Sequence, residues 1–170
     1  MSAPKENLSA VCILKHGPTD TDKGVNGVVR FTQGKADGSL IKIHINITGL
    51  APGQHGFHIH ALGDITKGCM SAGGHFNPDN SVHGGPTDAP EARHAGDLGN
   101  VEANADGIVD CVLEDSIITL KPGKYNILSR SVIVHEGIDD LGKGDFPDSK
   151  TTGHAGARVA CGVIGLAEDV

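Results

Sequence analysis

Leu40-Ile41-Lys42-Ile43-His44-Ile45-Asn46-Ile47-Thr48 alternates without a break: four isoleucines face one way, and Lys42, His44, Asn46 and Thr48 the other. Successive side chains of a strand point to opposite faces, so this is a strand with one face buried and one wet. Half-wet strands belong to antiparallel sheets, because parallel sheets are covered on both sides. Ala36-Asp37-Gly38 just upstream is a hairpin signal, with 25–33 (VNGVVRFTQ) as the partner strand. Before that, 9–16 (SAVCILKH) reads as a strand, followed by a Gly/Pro/Thr/Asp turn through Gly24. Downstream come His55–His60, Gly99–Ala105, Ile108–Leu113, a shorter Ile117–Leu120, Tyr125–His135 and 157–166, separated by turns such as Asn104-Ala105-Asp106-Gly107 and Pro122-Gly123. About eight short strands with no helix and no repeat predict an all-β antiparallel sandwich or barrel, carrying two long loops at 61–98 and 136–156.

The bulk numbers agree. A chain of 170 residues predicts one domain over 1–170, with 1–9 as a flexible N-terminal extension. Apolar residues at 38% and charged residues at 21% exclude a disordered chain, and 25 glycines with no Trp favour strands and turns over helices. A net charge of −7 with no Lys/Arg cluster argues against a nucleic-acid surface. No apolar run approaches the roughly 18 residues of a membrane span. Residues 1–10 show no basic region followed by an apolar run, so a cytosolic address is expected. On that expectation the N-x-S/T triplets at Asn7 and Asn46 are irrelevant to glycosylation.

The four cysteines include no C-x-x-C, which excludes a thiolate zinc site of that type. Cys12 and Cys111 sit in apolar runs and are expected to be buried, inert thiols. Cys69 and Cys161 lie among glycines near element ends, and spacing alone leaves their pairing open.

Ten histidines turn attention to metals. In His55-Gly56-Phe57-His58-Ile59-His60, His58 and His60 share one face about 7 Å apart. His55 shares the other face with Phe57 and Ile59 and is expected to be a hydrogen-bonded core imidazole, while His44 points outward. Loop 61–98 has no period, and a structureless connection of that length needs something to order it. It carries His75, His83, His94 and Asp97, and His135 ends a later strand. Imidazole suits copper and zinc, an added carboxylate is ordinary for zinc, and an all-imidazole set suits Cu(II). Spacing therefore points to metal without saying which.

HGFHIH, GCMSAGGHFNP, HGG, RHAGDLGN, VIVHEGIDDLGKG and GARVACGVIG, in this order over roughly residues 10–167, resemble the copper/zinc superoxide dismutase family. The resemblance implies an eight-stranded Greek-key sandwich, an architecture of which that enzyme is itself a named example. It implies copper held by His58, His60, His75 and His135, and zinc held by His75, His83, His94 and Asp97, with His75 shared. Asp139 matches a carboxylate linking His58 to His83, an outer partner of the kind that fixes ring orientation. Cys69 and Cys161 match an intrachain disulfide, which is exceptional in a cytosolic protein. Arg158 matches a guanidinium beside copper that binds a small anion, and His75 a histidine that exchanges a proton during turnover. The implied substrate is superoxide, disproportionated to oxygen and hydrogen peroxide. Lys143, Lys150 and Thr152 are expected to line its channel, a local positive funnel on an acidic protein. A homodimer across Leu62–Thr66 and Gly162–Leu166, and copper delivery by a chaperone, are implied too.

The chain departs from the family pattern in its steering loop. Pro147-Asp148 replaces the usual acidic pair, Thr151 stands at the usual lysine with Lys150 one place earlier, and His154 stands where Asn is common. The main alternative is a non-enzymatic copper/zinc-binding relative such as the dismutase-like domain of a copper chaperone. It predicts an added C-x-x-C module and lost ligands, and the sequence shows neither. A cell-surface sandwich using the fold alone predicts a signal peptide and a broken ligand set.

Overall fold

The structure, a computed structural model, describes residues 7–16 and 24–168. The turn expected over 17–24 lies outside the described residues apart from Gly24, as do residues 1–6 of the expected extension. The strands are β1 (Asn7–His16), β2 (Asn26–Gly34), β3 (Ile41–Thr48), β4 (Gly53–His60), β5 (Thr66–Cys69), β6 (Asp97–Ala103), β7 (Val109–Asp115), β8 (Ser131–His135) and β9 (Arg158–Leu166), with one α-helical turn, α1 (Ser149–Thr152), and 3-10 turns at Met70–Ala72 and Pro90–Ala92. Residues 7–9 of the expected extension are therefore part of β1.

Eight strands form one antiparallel sheet in the order β6-β4-β8-β9-β1-β2-β3-β7. Consecutive β1, β2 and β3 are neighbours, but β4 crosses to the other half, as a Greek key requires. The outermost strands β6 and β7 are joined by the Asn104–Ile108 turn, where Asn104 N donates to Ile108 O at 2.9 Å, so the barrel is nearly closed. Closure of this kind hides the edges that an open sheet exposes.

β3 behaves as its sequence says. Ile41, Ile43, Ile45 and Ile47 are at most 1% exposed inside the barrel, with Phe31, Phe57, Ile59 and Ile164 around them, and His44 faces outward. β4 is different, because from His55 onward both of its faces are buried. Its inner face packs into the core, and its outer face, with His58 and His60, lies beneath the two long loops.

Two expected strands are shorter than predicted. Of Tyr125–His135 only Ser131–His135 pairs in the sheet, and Ile117–Leu120 forms no strand. Their apolarity has another cause: Ile118, Leu120 and Ile127 are buried plugs. Ile117 N and Ile118 N donate to Asp115 Oδ1 (2.7 and 2.9 Å), and Leu120 N to Gln33 Oε1 (2.9 Å), in place of a ladder. Cys12 is buried, and burial raises its thiol to about 12; Cys111 is only half-buried, near the outer strand of the sheet.

Candidate metal centre

Loop 61–96 is ordered by backbone pairing onto the end of β4. Ala61 N donates to Gly74 O (2.8 Å), Phe76 N to Ile59 O (2.8 Å) and Ile59 N to Gly96 O (2.9 Å). These bonds set His75 opposite His60 in a β-bridge. Gly96 is required at this approach, since a Cβ there would stand 2.2 Å from Ile59 O. The β4–β6 register shifts between Gly56 and His58, and the β8–β9 register between Val134 and His135. Irregularities of this kind re-aim side chains, and here they flank two of the histidines.

Each ring of the first group has one nitrogen engaged and one left over. His58 Nε2 donates to Asp139 Oδ2 (2.7 Å), His60 Nδ1 to Gly73 O (2.9 Å) and His135 Nδ1 to Gly156 O (3.0 Å). Those acceptors put the ring proton on the engaged nitrogen. His58 Nδ1, His60 Nε2, His75 Nε2 and His135 Nε2 are buried without a hydrogen-bond partner. These four residues bring one ligand atom each to within 4.8 Å of one another. Buried lone pairs are rarely left unpaired, so four converging on one point fit a cation.

The second group is His75, His83, His94 and Asp97, within the same 4.8 Å limit. Asp97 Oδ1 lies 2.8 Å from His75 Nδ1 and 3.1 Å from His94 Nδ1, and Oδ2 lies 3.1 Å from His83 Nδ1. His75 thus turns Nδ1 to this group and Nε2 to the other. Asp97 is the first residue of β6, a rigid mount that the irregular sequence before it concealed. A third close set, His58, His83 and Asp139, needs no ion: both Nε2 atoms donate to the Asp139 carboxylate at 2.7 Å.

Electrostatics follow burial. Burial, reinforced by the neighbouring His75, lowers His58 to about 3. Burial likewise lowers His135 to about 4 and holds His60 and His75 below the ordinary imidazole value. All four are neutral near pH 7, the form that binds metal. Burial pulls His83 down, but its bonds to Asp139 and Asp97 outweigh this and raise it to about 9. Asp139 is held at about 2: burial pushes it up, and the bonds from His58 and His83 prevail. Asp97 lies well below the carboxylate range by the same balance.

Arg158 pairs with His135 across the β8–β9 ladder. Its Nη1 donates to Cys69 O and its Nη2 to Gly73 O, both at 2.7 Å, and the Gly73 carbonyl also holds His60. Cys69 and Cys161 form a disulfide with Cα atoms 5.6 Å apart, so loop and strand are joined covalently beside the guanidinium. Lys143 and Lys150 stand exposed on the second loop, and the Thr152 hydroxyl turns back to Asp148 O at 3.3 Å. The described contacts bring none of these three to Arg158. His55 is a core imidazole as expected, bonded to His135 O and Ala51 O at 2.8 Å each.

Sequence reasoning missed three supports. Asn100 clamps the Asp139 backbone in both directions, accepting from its N at 2.8 Å and donating to its O at 2.9 Å. Arg93, 2% exposed, pairs with Asp115 (2.8 Å) and donates to the carbonyls of Pro86 and His94. Neither pairing has a local signal. Arg93 and Asn100 do stand at the two ends of the RHAGDLGN motif, which is the one available hint.

The family described as Copper/zinc superoxide dismutase (SODC) matches residues 25–164. The chain is 52% identical over 151 residues to an extracellular superoxide dismutase [Cu-Zn] of Drosophila melanogaster, covering 88% of this chain and 81% of that one. It is 48% identical over 166 residues to superoxide dismutase [Cu-Zn] 3 of Arabidopsis thaliana, covering 98% and 95%. The cytosolic address expected from residues 1–10 is corrected by the extracellular relative and by the Cys69–Cys161 disulfide, a bond that persists in oxidising compartments. The dismissal of Asn7 and Asn46 as glycosylation acceptors falls with it; both are exposed. The match across most of the chain, together with two donor sets suited to copper and zinc, places this protein in the copper/zinc superoxide dismutase family, as an oxidoreductase that disproportionates superoxide.

Proposed function

We propose that His58, His60, His75 and His135 hold the copper and His75, His83, His94 and Asp97 the zinc, with His75 shared between them. The observation that carries this is the set of buried imidazole nitrogens left without partners, each on a ring whose other nitrogen is engaged. The carboxylate in the second set favours zinc there, and the all-imidazole set favours copper. When bound, copper supplies the one-electron exchange by which two superoxide anions and two protons become one oxygen and one hydrogen peroxide.

The protein's own groups bind, orient and protonate. Arg158 keeps N–H groups beyond the two given to carbonyls, and these receive the anion. Its charge reaches His60 and His135, which supports a place beside the copper set. His75 Nε2 is the nitrogen to carry one of the two protons, its Nδ1 staying on the Asp97 side. Asp139 fixes the ring orientation of His58 and His83 and holds the His58 proton on Nε2, so that the His58 lone pair points inward. Lys143, Lys150 and Thr152 serve the approach of the anion rather than its chemistry.

The partner and the setting are part of the same reading. Leu62, Ile65, Val163 and Leu166 are large apolar side chains left exposed on the segments that the disulfide ties together, and they suit a self-complementary homodimer face. The setting is an oxidising, extracellular one, where copper comes from a chaperone or from the medium.

Metal analysis of the purified protein with a dismutation assay is the test. One copper and one zinc per chain, with cyanide-sensitive activity, is the expected result. His83→Ala should lose zinc and keep copper, and His60→Ala should do the reverse; loss of the same metal from both would overturn the assignment.

A further inference from the structure

Two of the positions at which the second loop departs from the family pattern, Asp148 and His154, touch one another, and a third side chain, Phe146, packs on them. His154 Nδ1 lies 2.7 Å from Asp148 Oδ1, and its ring stacks on Phe146 with centroids 3.7 Å apart and planes 7° from parallel. Asp148 immediately precedes α1, and His154 follows the Gly153 that ends it, so the three side chains embrace the helix from both ends. A single helical turn is not stable by itself and has to be held.

The helix covers the carboxylate that orients the metal ligands. Ser149 is buried with its hydroxyl on the Asp140 carboxylate. His83 N donates to Lys150 O (2.9 Å) and Asp140 N to Gly153 O (2.8 Å). Gly153 sits so close to the site that a Cβ there would stand 1.9 Å from Asp139 Oδ1 and 2.5 Å from His83 Nε2. Gly153, at the C-terminal end of α1, thus stands over Asp139, which is 2% exposed. Any loosening of α1 weakens the two bonds that aim His58 and His83.

We propose that Phe146, Asp148 and His154 are positioning residues: their clasp holds α1 on Asp139 and thereby retains the zinc on His83. The inference rests on the zinc assignment made above. An exposed side-chain contact such as that of His154 with Asp148 contributes little alone, so the ring stack does most of the holding. His154 has φ 51°, a conformation that His and Asn adopt more readily than most residues. His154→Asn therefore removes the stack and keeps the backbone.

The test uses the enzyme loaded with both metals and with its disulfide intact. Amide exchange at His83 and Asp140 is followed beside the rate of zinc loss to excess EDTA. Phe146→Ala and His154→Asn should each speed both by about ten-fold. The double variant should be no faster than the worse single one, because both remove one contact. Phe146→Tyr, which keeps the stack, should restore wild-type values, a rescue that general destabilisation would not give. Unchanged exchange at the two amides would overturn the clasp. Faster exchange with unchanged zinc loss would overturn its link to the metal. A wild-type protein without zinc would overturn the zinc assignment instead, with the amides still deciding the clasp.

Discussion

Arg158 shows what a single residue does here. Its guanidinium is half-buried and held by the carbonyls of Cys69 and Gly73, so its direction is set by the loop and not by its own rotamer freedom. Arg158→Ala should lower the dismutation rate by about ten-fold while copper and zinc stay bound; full turnover at low salt would remove Arg158 from anion capture. Lys150 is exposed and acts at longer range, so Lys150→Ala should leave the metals in place and flatten the salt dependence of the rate. An identical salt profile would mean that steering lies elsewhere. Arg158 is legible only through its motif, GARVAC, since a lone arginine at a strand start carries no chemistry in its spacing. Arg93 stands in the RHAGDLGN motif, but nothing in the sequence points to its partner Asp115, 22 positions on, because what pairs them is the folding of the loop.

At the scale of elements, the disulfide ties the first long loop to β9, the strand that follows the second. It closes a sequence separation of 92 residues between β5 and β9. Cys69→Ser should cost about 4 kcal/mol through the freed unfolded chain, a fall in Tm of about 10 °C. It should also slow dismutation, because the Cys69 carbonyl that holds Arg158 is no longer tethered. A lower Tm with an unchanged rate would show that the bridge stabilises the fold without aiming the guanidinium. The elements themselves divide by legibility. β3 could be read residue by residue, since one wet face leaves a clean alternation. β4 could be read only in part, because loops bury its second face and its histidines are the reason. The stretch 125–130 misled, since the apolarity of Ile127 records burial and not pairing: it is a plug outside the sheet.

For the whole molecule, the site's titrations govern stability once the metals are removed. His58 and His135 have folded values of about 3 and about 4, below the ordinary 6.5. Between those values and 6.5 the unfolded chain binds more protons, so their contribution is present above 6.5 and lost as pH falls. His83, raised to about 9, contributes fully below 6.5 and loses its contribution as pH rises through 9. The metal-free protein should therefore be most stable near pH 6.5, with Tm lower by on the order of 5 °C at pH 4.5. Thermal unfolding across pH checks this, and a Tm that rises on acidification contradicts it. At the same scale, the proposed homodimer face is tested by sedimentation of the metallated protein: a dimer mass that Leu166→Glu converts to a monomer is the expected result, and a monomer mass for the unsubstituted protein overturns the dimer.

Strand alternation, glycine and turn chemistry determine an antiparallel β fold from sequence alone, because each is a local property with a period of two or a fixed dipeptide. The concentration of histidines in a loop that needs ordering is also a local signal, and it points to metal without saying which residues hold which ion. Only the tertiary structure decides which nitrogen of each ring is free. That depends on acceptors far away in the chain, as with Asp139 for His58 and Gly156 for His135. The place of His75 in both donor sets and the clamp by Asn100 are likewise long-range, and no spacing along the chain encodes which groups the folded loops bring within 3 Å.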